Sequence, residues 1–230
     1  MRDQRQMRDR GVKRVQILLD ATESLLAQRS NEDVSLAQIA EHAGVPLASV
    51  YHFFPNKNAA FVALAKRFNE HFYQRAIEPM DPPPASWQEV VATKQRNGAA
   101  FLNGRPAALR LFLGAGVSVD VRAADWAGNE AVALSRVRFL EAYFHLPFVP
   151  DLQTKIAISM AVHDGIWALS YGRFGFIAPD FIEASIEASI AYLRNYLPQH
   201  IEPRQVDAAA LAAIDVLAAP LTPDEPKDID

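Results

Sequence analysis

Apolar residues recur every three or four positions through nearly all of this 230-residue chain. Between Val12 and Gln28, for example, Leu18, Leu25 and Leu26 fall on one face of a helix. No alternation of apolar and polar residues surrounds an Asn-Gly or Asp-Gly pair, which would be the signal of a β-hairpin. The periodicity therefore predicts an all-α fold of about nine helices.

The stretch EPMDPPPAS, from Glu78 to Ser86, cannot continue a helix, because proline lacks an amide donor and disfavours helical geometry in the residue before it. We place a domain boundary there. Residues 12–78 then form a small N-terminal domain, and residues 79–198 form a larger helical domain. Helices of the larger domain are expected at Trp87–Leu102, Pro106–Leu113, Ala123–Phe144, Asp151–Phe174 and Pro179–Leu197.

Charge is distributed unevenly along the chain. Residues 1–78 carry 11 Lys and Arg against 9 Asp and Glu, whereas residues 79–230 carry 12 against 18. We expect residues 1–11 to form a basic arm that meets an anion or is simply solvated, and residues 199–230 to form a disordered acidic tail. The basic excess lies at Arg2, Arg5, Arg8, Arg10, Lys13 and Arg14.

The composition excludes several classes of protein. The chain has no cysteine, so it can form neither a disulfide nor a thiolate metal site. Its first residues are too polar for a signal peptide, and no apolar run approaches the roughly 20 residues needed to span a bilayer. We expect a cytoplasmic protein that associates with the nucleoid and not with a membrane, and that needs neither a metal nor a cofactor.

Residues 35–54 predict a helix-turn-helix. Ser35 precedes LAQIAEHA with Gln38 three positions later, which is a capping box, and Gly44 can supply the positive φ of a tight turn. Pro46 fits the first turn of a second short helix. Such a helix can enter the major groove of DNA, although a plain αα-hairpin with an aromatic core has the same spacing.

Candidate DNA contacts lie on this motif. Hydroxyl, imidazole and ammonium groups can donate hydrogen bonds to phosphates, and the side chains of Leu47 and Ala48 can contact thymine methyl groups. The N-terminus of the first helix of the motif offers free amides to a further phosphate. The candidate DNA-binding residues are Ser35, Pro46, Leu47, Ala48, Ser49, Tyr51, His52 and Lys57.

The segment RVQILLDATESLL, followed by VSLAQIAEHAGVPLASVYHFFPNKNAAFVAL, resembles the N-terminal domain of the tetracycline-repressor (TetR) family over roughly Arg10–Glu70. The resemblance implies that the Ser35 hydroxyl, Tyr51, His52 and Lys57 hold phosphates and that positions 46–49 read bases. This recognition helix offers few donors to base edges. Sequence readout is therefore expected to use methyl contacts, DNA shape or the basic arm.

The resemblance further implies that the larger domain binds a small effector between its helices. An aromatic cluster with a few polar groups suits an apolar or aromatic molecule, although aromatics at helical spacing belong more often to a core than to a pocket. His163 and Asp164 could orient a ligand, or His163 could instead be a hydrogen-bonded histidine of a helix interface. The candidate effector-binding residues are Phe101, Phe112, Trp126, Phe139, Tyr143, His163, Asp164 and Trp167.

The resemblance also implies dimerisation through the last two long helices. The segment Asp151–Phe174 is apolar on two faces, and FIEASIEASIAYL, from Phe181 to Leu193, carries small residues four positions apart. Two such helices could pack against their symmetry mates, or could instead complete a monomeric core. The candidate dimer residues are Ile156, Met160, Ala184, Ser185, Ala188, Ser189 and Tyr192.

No motif for hydrolytic, nucleotide-dependent or di-iron catalysis is present, so no catalytic residue is expected. The sequence is therefore interpreted as a dimeric, one-component transcriptional regulator that represses at a palindromic operator on double-stranded DNA. A small effector would release it. The alternative is a helical adaptor that binds protein and does not read DNA.

Overall fold

The computed structural model describes residues 2–206, 211 and 214, with the backbone alone for residues 2–9. In that part of the chain the predicted all-α fold is confirmed. It comprises nine helices: α1 Arg2–Gln28, α2 Leu36–Ala43, α3 Leu47–Phe53, α4 Lys57–Ile77, α5 Trp87–Asn103, α6 Pro106–Leu113, α7 Val119–Tyr143, α8 Leu152–Phe174 and α9 Pro179–Leu193.

Four helices begin after a polar N-cap residue whose side chain accepts a hydrogen bond from a free amide in the first turn. Ser35 accepts a hydrogen bond from the Gln38 amide, and Asn56 accepts one from the Ala59 amide. Ser86 and Ser118 cap α5 and α7 in the same way. The starts of these helices therefore follow from local sequence.

The first helix is longer than the sequence predicted. Its backbone is helical from Arg2, so residues 2–11, expected as a separate arm, continue α1. Ten residues at about 1.5 Å each place the basic N-terminus roughly 15 Å beyond the packed part of the helix.

One apolar core crosses the proline-rich boundary predicted at residues 78–86. It contains Leu18 of α1, Ile39 of α2 and Phe68 of α4 together with Leu111 of α6 and Trp167 of α8. α4 packs along α7, and α1 packs against α6. The N-terminal helices are thus attached to the larger domain by shared apolar packing.

The chain after α9 folds back onto the larger domain. The indole Nε1 of Trp87 donates to the Pro198 carbonyl at 2.9 Å, and the amides of His145 and Arg204 form a short bridge between residues 143–145 and 202–204. The packed chain therefore reaches at least Val206. Apart from residues 211 and 214, the predicted tail beyond that point lies outside the described residues.

Among the described helices, none combines the length and the hydropathy that a bilayer span would require.

Candidate DNA-binding surface and effector cavity

The turn between α2 and α3 has the predicted geometry. Gly44 adopts φ 63° and ψ 35°, and its amide donates to the Glu41 carbonyl at 3.1 Å. The Val45 amide donates to the Ala40 carbonyl at 2.9 Å, which completes a Schellman motif. The left-handed residue and its two hydrogen bonds set the angle at which α3 leaves α2.

The two faces of α3 differ sharply in exposure. Val50 is completely buried, and Phe54 just after the helix is also buried. Pro46, Leu47, Ala48, Tyr51 and His52 are exposed, whereas Ser49 is half-buried. The exposed side is therefore the one that the sequence predicted for DNA.

Pro46 lies one position earlier in the motif than the sequence predicted. It occupies the N-cap of α3, with ψ 135°, and the first helical residue is Leu47. The ring contributes no capping hydrogen bond. A proline at this position fixes the approach of the chain to the helix without supplying a donor.

Ser35 and Lys57 already have partners within the chain. The Ser35 hydroxyl donates to Gln38 Oε1 at 3.1 Å as part of the capping box. Lys57 Nζ donates to the carbonyls of Asn31 and Glu32, both at 3.1 Å, and so fixes the loop before α2. Each side chain thus has a structural role. A contact with phosphate would use the hydrogen-bonding capacity that its hydroxyl or ammonium group still has.

A cavity of about 80 Å³ lies between α4 and the helices of the larger domain. Its wall comes from α4, α5, α6, α7 and α8, and it includes Arg75 and Asn97, which are exposed, so the cavity reaches the surface. Four predicted effector residues line it, namely Phe112, His163, Asp164 and Trp167.

The other four predicted effector residues lie elsewhere. Trp126 is 64% exposed on the outside of α7. Phe101 is buried among Phe68 and Phe72, with ring centroids 6.4 Å and 4.7 Å away. Phe139 stacks on Tyr143, with ring centroids 4.5 Å apart, in a second apolar cluster that also contains Trp87 and Leu140. Helical spacing alone could not separate these core and surface aromatics from those of the cavity.

Apart from His163 and Asp164, the polar residues of the cavity wall were not predicted from the sequence. Two of these residues fall on otherwise apolar stripes: Lys94 follows Val90 by one turn, and Arg136 follows Val132 by one turn. A charge at a stripe position was the signal that could have identified them. The polar lining residues that were missed are Asn69, Arg75, Lys94, Asn97, Asp125, Asn129 and Arg136.

Burial and like-charge neighbours shift the pKa values of these groups. Burial, reinforced by the neighbouring Arg136, lowers the pKa of Lys94 to about 8. Burial also lowers the pKa of Arg136 to about 10, while Asp164 opposes that change. Burial and the nearby Asp164 raise the pKa of Asp125 to about 7, against the effect of Arg122.

The predicted dimer residues divide into two groups. Ile156, Met160, Ser185 and Ser189 are buried within one chain, which contradicts their assignment to an intermolecular surface. Met160 lines the cavity. Ala184 is exposed and Ala188 and Tyr192 are half-buried, so these three remain accessible.

Hydrogen bonds explain why the serines face inward. Ser185 Oγ accepts from Trp167 Nε1 at 2.9 Å and lies 3.0 Å from Gln95 Oε1, and Gln95 Nε2 donates to Ser189 Oγ at 2.8 Å. Buried indole and amide groups need such partners. The two serines, on the inner face of α9, therefore provide hydrogen-bond partners for Gln95 of α5 and Trp167 of α8.

A different face of α8 is open. Thr154, Ile158, Ala161, Gly165 and Leu169 recur at three- and four-residue intervals and are all exposed. Ile158 and Leu169 are 42% and 50% exposed, respectively. The helix is thus apolar on two sides, as predicted, but the intramolecular side is the one that carries Ile156 and Met160.

A helix-turn-helix with an exposed second helix, joined to a helical domain that contains a cavity, defines the class of helical transcription regulators. Residues 18–64 match the sequence profile described as bacterial regulatory proteins, tetR family. No curated protein sequence gives a significant match to the chain.

Solved structures share the fold at low sequence identity. A TetR-family regulator from Streptomyces coelicolor superposes with a TM-score of 0.65 at 23% identity, over 80% of this chain and 97% of that one. SmeT, the repressor of the Stenotrophomonas maltophilia multidrug efflux pump SmeDEF, gives 0.57 at 19% identity, over 84% and 95%. FadR from Bacillus subtilis in complex with stearoyl-CoA gives 0.55 at 15%, over 77% and 96%.

Residues 18–64 thus match the DNA-binding domain of the tetR family, in agreement with the resemblance found in the sequence, and the chain shares the fold of solved TetR-family regulators over 80% of its length.

Proposed function

We propose that the protein is a homodimeric repressor that binds a palindromic operator and is released from it by a small molecule. The observation that carries the proposal is the location of α4. Its first residue, Lys57, holds the loop before α2, and its second half lines the cavity.

The exposed face of α3 supports DNA binding. Tyr51 and His52 are exposed near the C-terminus of α3, where a hydroxyl and an imidazole can donate hydrogen bonds to phosphates. Leu47 and Ala48 present apolar groups at the start of the helix, which suits thymine methyl groups. Ser49, half-buried beside them, is the only hydroxyl of α3 apart from that of Tyr51.

Two helices connect the cavity to the DNA-binding motif. α4 is joined to α1 by Arg67, which forms ion pairs with Asp20 at 2.6 Å and Glu23 at 2.5 Å. On α6, Arg110 donates to the carbonyls of Leu26 and Arg29 at the end of α1.

An effector that displaces α4 or α6 would move the recognition helix with it. Such a switch requires the effector to favour one geometry over the other by about 1–3 kcal/mol. Phe112 and Leu113 of α6 line the cavity beside α4, so one ligand could contact both helices.

The open faces of α8 and α9 support a dimer. On α8 the small residues Ala161 and Gly165 lie between the exposed Ile158 and Leu169, and on α9 Ala184 and Ala188 occupy the accessible side. Small residues allow helices to approach closely, and a two-fold axis would pair each such face with its copy.

The similarity to two solved structures supports the proposal that the protein is a repressor and that an effector relieves the repression. The similar SmeT structure is that of a repressor, and the similar FadR structure contains a bound small molecule. Phe72, Phe112 and Trp167 would cover an apolar or aromatic effector.

To test the proposal, purified protein is used to select the duplexes that it binds from a random library. The selected site is then mapped by footprinting. Two symmetric half-sites centred about 10 base pairs apart, with affinity that falls steeply as salt is added, would support the proposal. Absence of any selected sequence, together with retention of a protein partner, would favour a helical adaptor instead.

A further inference from the structure

The cavity wall includes a guanidinium whose Nε has no hydrogen-bond partner within the described residues. Arg136 lines the wall from α7, and its Nε is closed off from solvent and makes no hydrogen bond to any part of the chain that the structure describes. A buried charged donor without an acceptor is costly to a folded protein. The geometry therefore leaves a strong donor available to a ligand.

The carboxylates of the cavity, by contrast, are already occupied. Asp125 pairs with Arg122 at 3.0 Å. Asp164 pairs with His163 Nε2 at 3.2 Å and accepts from Asn129 Nδ2 at 3.3 Å. A cationic ligand would have to compete with these partners, whereas an anion at Arg136 would break none of these hydrogen bonds or ion pairs and would share the charge of Arg136 with Asp164.

A second cation lies close to Arg136. Lys94 Nζ donates to the carbonyls of Arg75 and Glu78, at 3.0 Å and 2.7 Å, and lies 4.4 Å from the centre of the Phe139 ring. Burial first, and then the charge of Arg136, lowers the pKa of Lys94, and a negative charge between the two cations would relieve their repulsion.

Much of the remaining wall is apolar. It includes aromatic and aliphatic side chains from five helices, among them Phe72, Leu102, Phe112, Val132 and Trp167. These surfaces suit a hydrocarbon or aromatic body, with the charged group directed toward α7.

We propose that the effector is a small organic monoanion whose carboxylate is bound by Arg136, with Lys94 as a second cation, and whose body packs against Phe72 and Phe112. The proposal rests on the proposed function, because it assigns the effector to this cavity. A guanidinium can bind a carboxylate through two parallel hydrogen bonds, and the water-poor surroundings strengthen that pair.

The test is calorimetric titration of the full-length protein with matched probes. Benzoate, 2-naphthoate and octanoate are compared with their primary amides and with benzylamine, 2-naphthylmethylamine and octylamine. We expect at least one carboxylate to bind, its amide to bind at least tenfold more weakly, and the amines not to bind. Equal binding of acid and amide, preferred binding of the amines, or no binding of any carboxylate would overturn the proposal.

A variant pair localises the binding. Arg136→Met should weaken carboxylate binding at least tenfold, whereas Arg138→Met, at an exposed arginine two residues along the same helix, should leave it unchanged. Because Arg136→Met removes a buried Nε that has no acceptor, its melting temperature without ligand should equal or exceed that of the wild type. Full carboxylate affinity in a folded Arg136→Met protein would contradict the assignment.

DNA binding measured on the same samples separates the two proposals. Carboxylate binding that does not weaken DNA binding would support the cavity assignment and contradict the switch. Carboxylate-free protein that fails to bind any duplex would contradict the regulatory function, while the titration would still decide the ligand class.

Discussion

Gly128 of α7 packs directly against the side chain of Asn69 on α4. A Cβ atom at position 128 would lie 2.9 Å from the Asn69 Cβ and closer still to the end of that side chain. The Asn69 Nδ2 in turn donates to the Ala124 carbonyl at 2.9 Å. α4 therefore crosses α7 at a distance that only glycine permits, next to the cavity that Asn69 also lines.

Substitution of Gly128 by alanine should push α4 away from α7. We expect a loss of about 1–3 kcal/mol in the free energy of unfolding, because overpacking at a tight contact forces side chains and backbone to shift. Denaturant unfolding measures the effect. If steric overlap is the cause, Gly128→Ala added to Asn69→Ala should cost less than it does in the wild type, and an equal cost would contradict the explanation.

Gly44 tests the turn of the helix-turn-helix. Its φ of 63° is unfavourable for residues with a Cβ atom, so Gly44→Ala should destabilise the protein by about 1–2 kcal/mol and weaken DNA binding. Gly11→Ala is the matched control, because Gly11 lies within α1 and an added methyl group would meet no atom within 4 Å. That control should be neutral or stabilising by up to about 1 kcal/mol, and equal losses in both variants would contradict the role of the turn.

The local parts of the fold could be predicted from sequence because their causes are local. A serine with a glutamine three residues later defined the start of α2, and Gly44 defined its end. The extent of α1 could not be read in the same way. Residues 2–11 lack an apolar stripe, so nothing distinguished a solvated helix from a solvated arm.

The candidate site was predicted less completely, because it depends on which face of each helix turns inward. α8 is apolar on two sides, and the sequence did not show that Met160 lies inside one chain while Ile158 lies outside. The charged residues of the cavity were missed for a related reason. Lys94 and Arg136 stand on apolar stripes, and only the packing of the helices around the cavity shows that they face a common space.

Tyr51 tests the phosphate contacts. The side chain is 55% exposed, so its replacement should not affect the fold. Tyr51→Phe removes only the hydroxyl and should reduce affinity for every duplex by roughly tenfold, the value of one hydrogen bond to a charged group. Tyr51→Ala should reduce it further. Unchanged affinity of both variants in a gel-shift titration would contradict the docking of α3.

Lys57 should behave differently from Tyr51. Because Lys57 Nζ ties the loop at Asn31 and Glu32, Lys57→Ala should lower both DNA affinity and thermal stability. Tyr51→Ala, as the comparison, should lower affinity alone. A Lys57→Ala protein with unchanged melting temperature would show that the loop does not depend on this lysine.

The open face of α8 tests the dimer. Ile158→Glu and Leu169→Glu would place charges in the proposed interface and should convert the dimer to monomers at micromolar concentration, as measured by light scattering. Val119→Glu, at a position 83% exposed on α7, is the control and should remain dimeric. A monomeric wild-type protein, or a dimer that survives both α8 substitutions, would contradict the interface.

Asp125 gives the protein a defined pH dependence. Burial and Asp164 raise its pKa to about 7 in the folded state, so the folded protein binds a proton more tightly than the unfolded chain does. Stability from this group is therefore fully present below about pH 4 and is lost as pH rises through about 7, by on the order of 2–4 kcal/mol. Asp125→Asn should thus stabilise the protein more at pH 8 than at pH 5 in thermal unfolding, and an equal effect at both values would argue against a raised pKa at Asp125.

Operator binding through α3 is tested by selection from a random duplex library followed by footprinting, with wild-type and Tyr51→Ala protein in parallel. We predict a palindromic site with two half-sites about 10 base pairs apart, protected by the wild type and not by the variant. A folded wild-type protein that selects no sequence, or a site that Tyr51→Ala protects equally well, would contradict operator binding through α3.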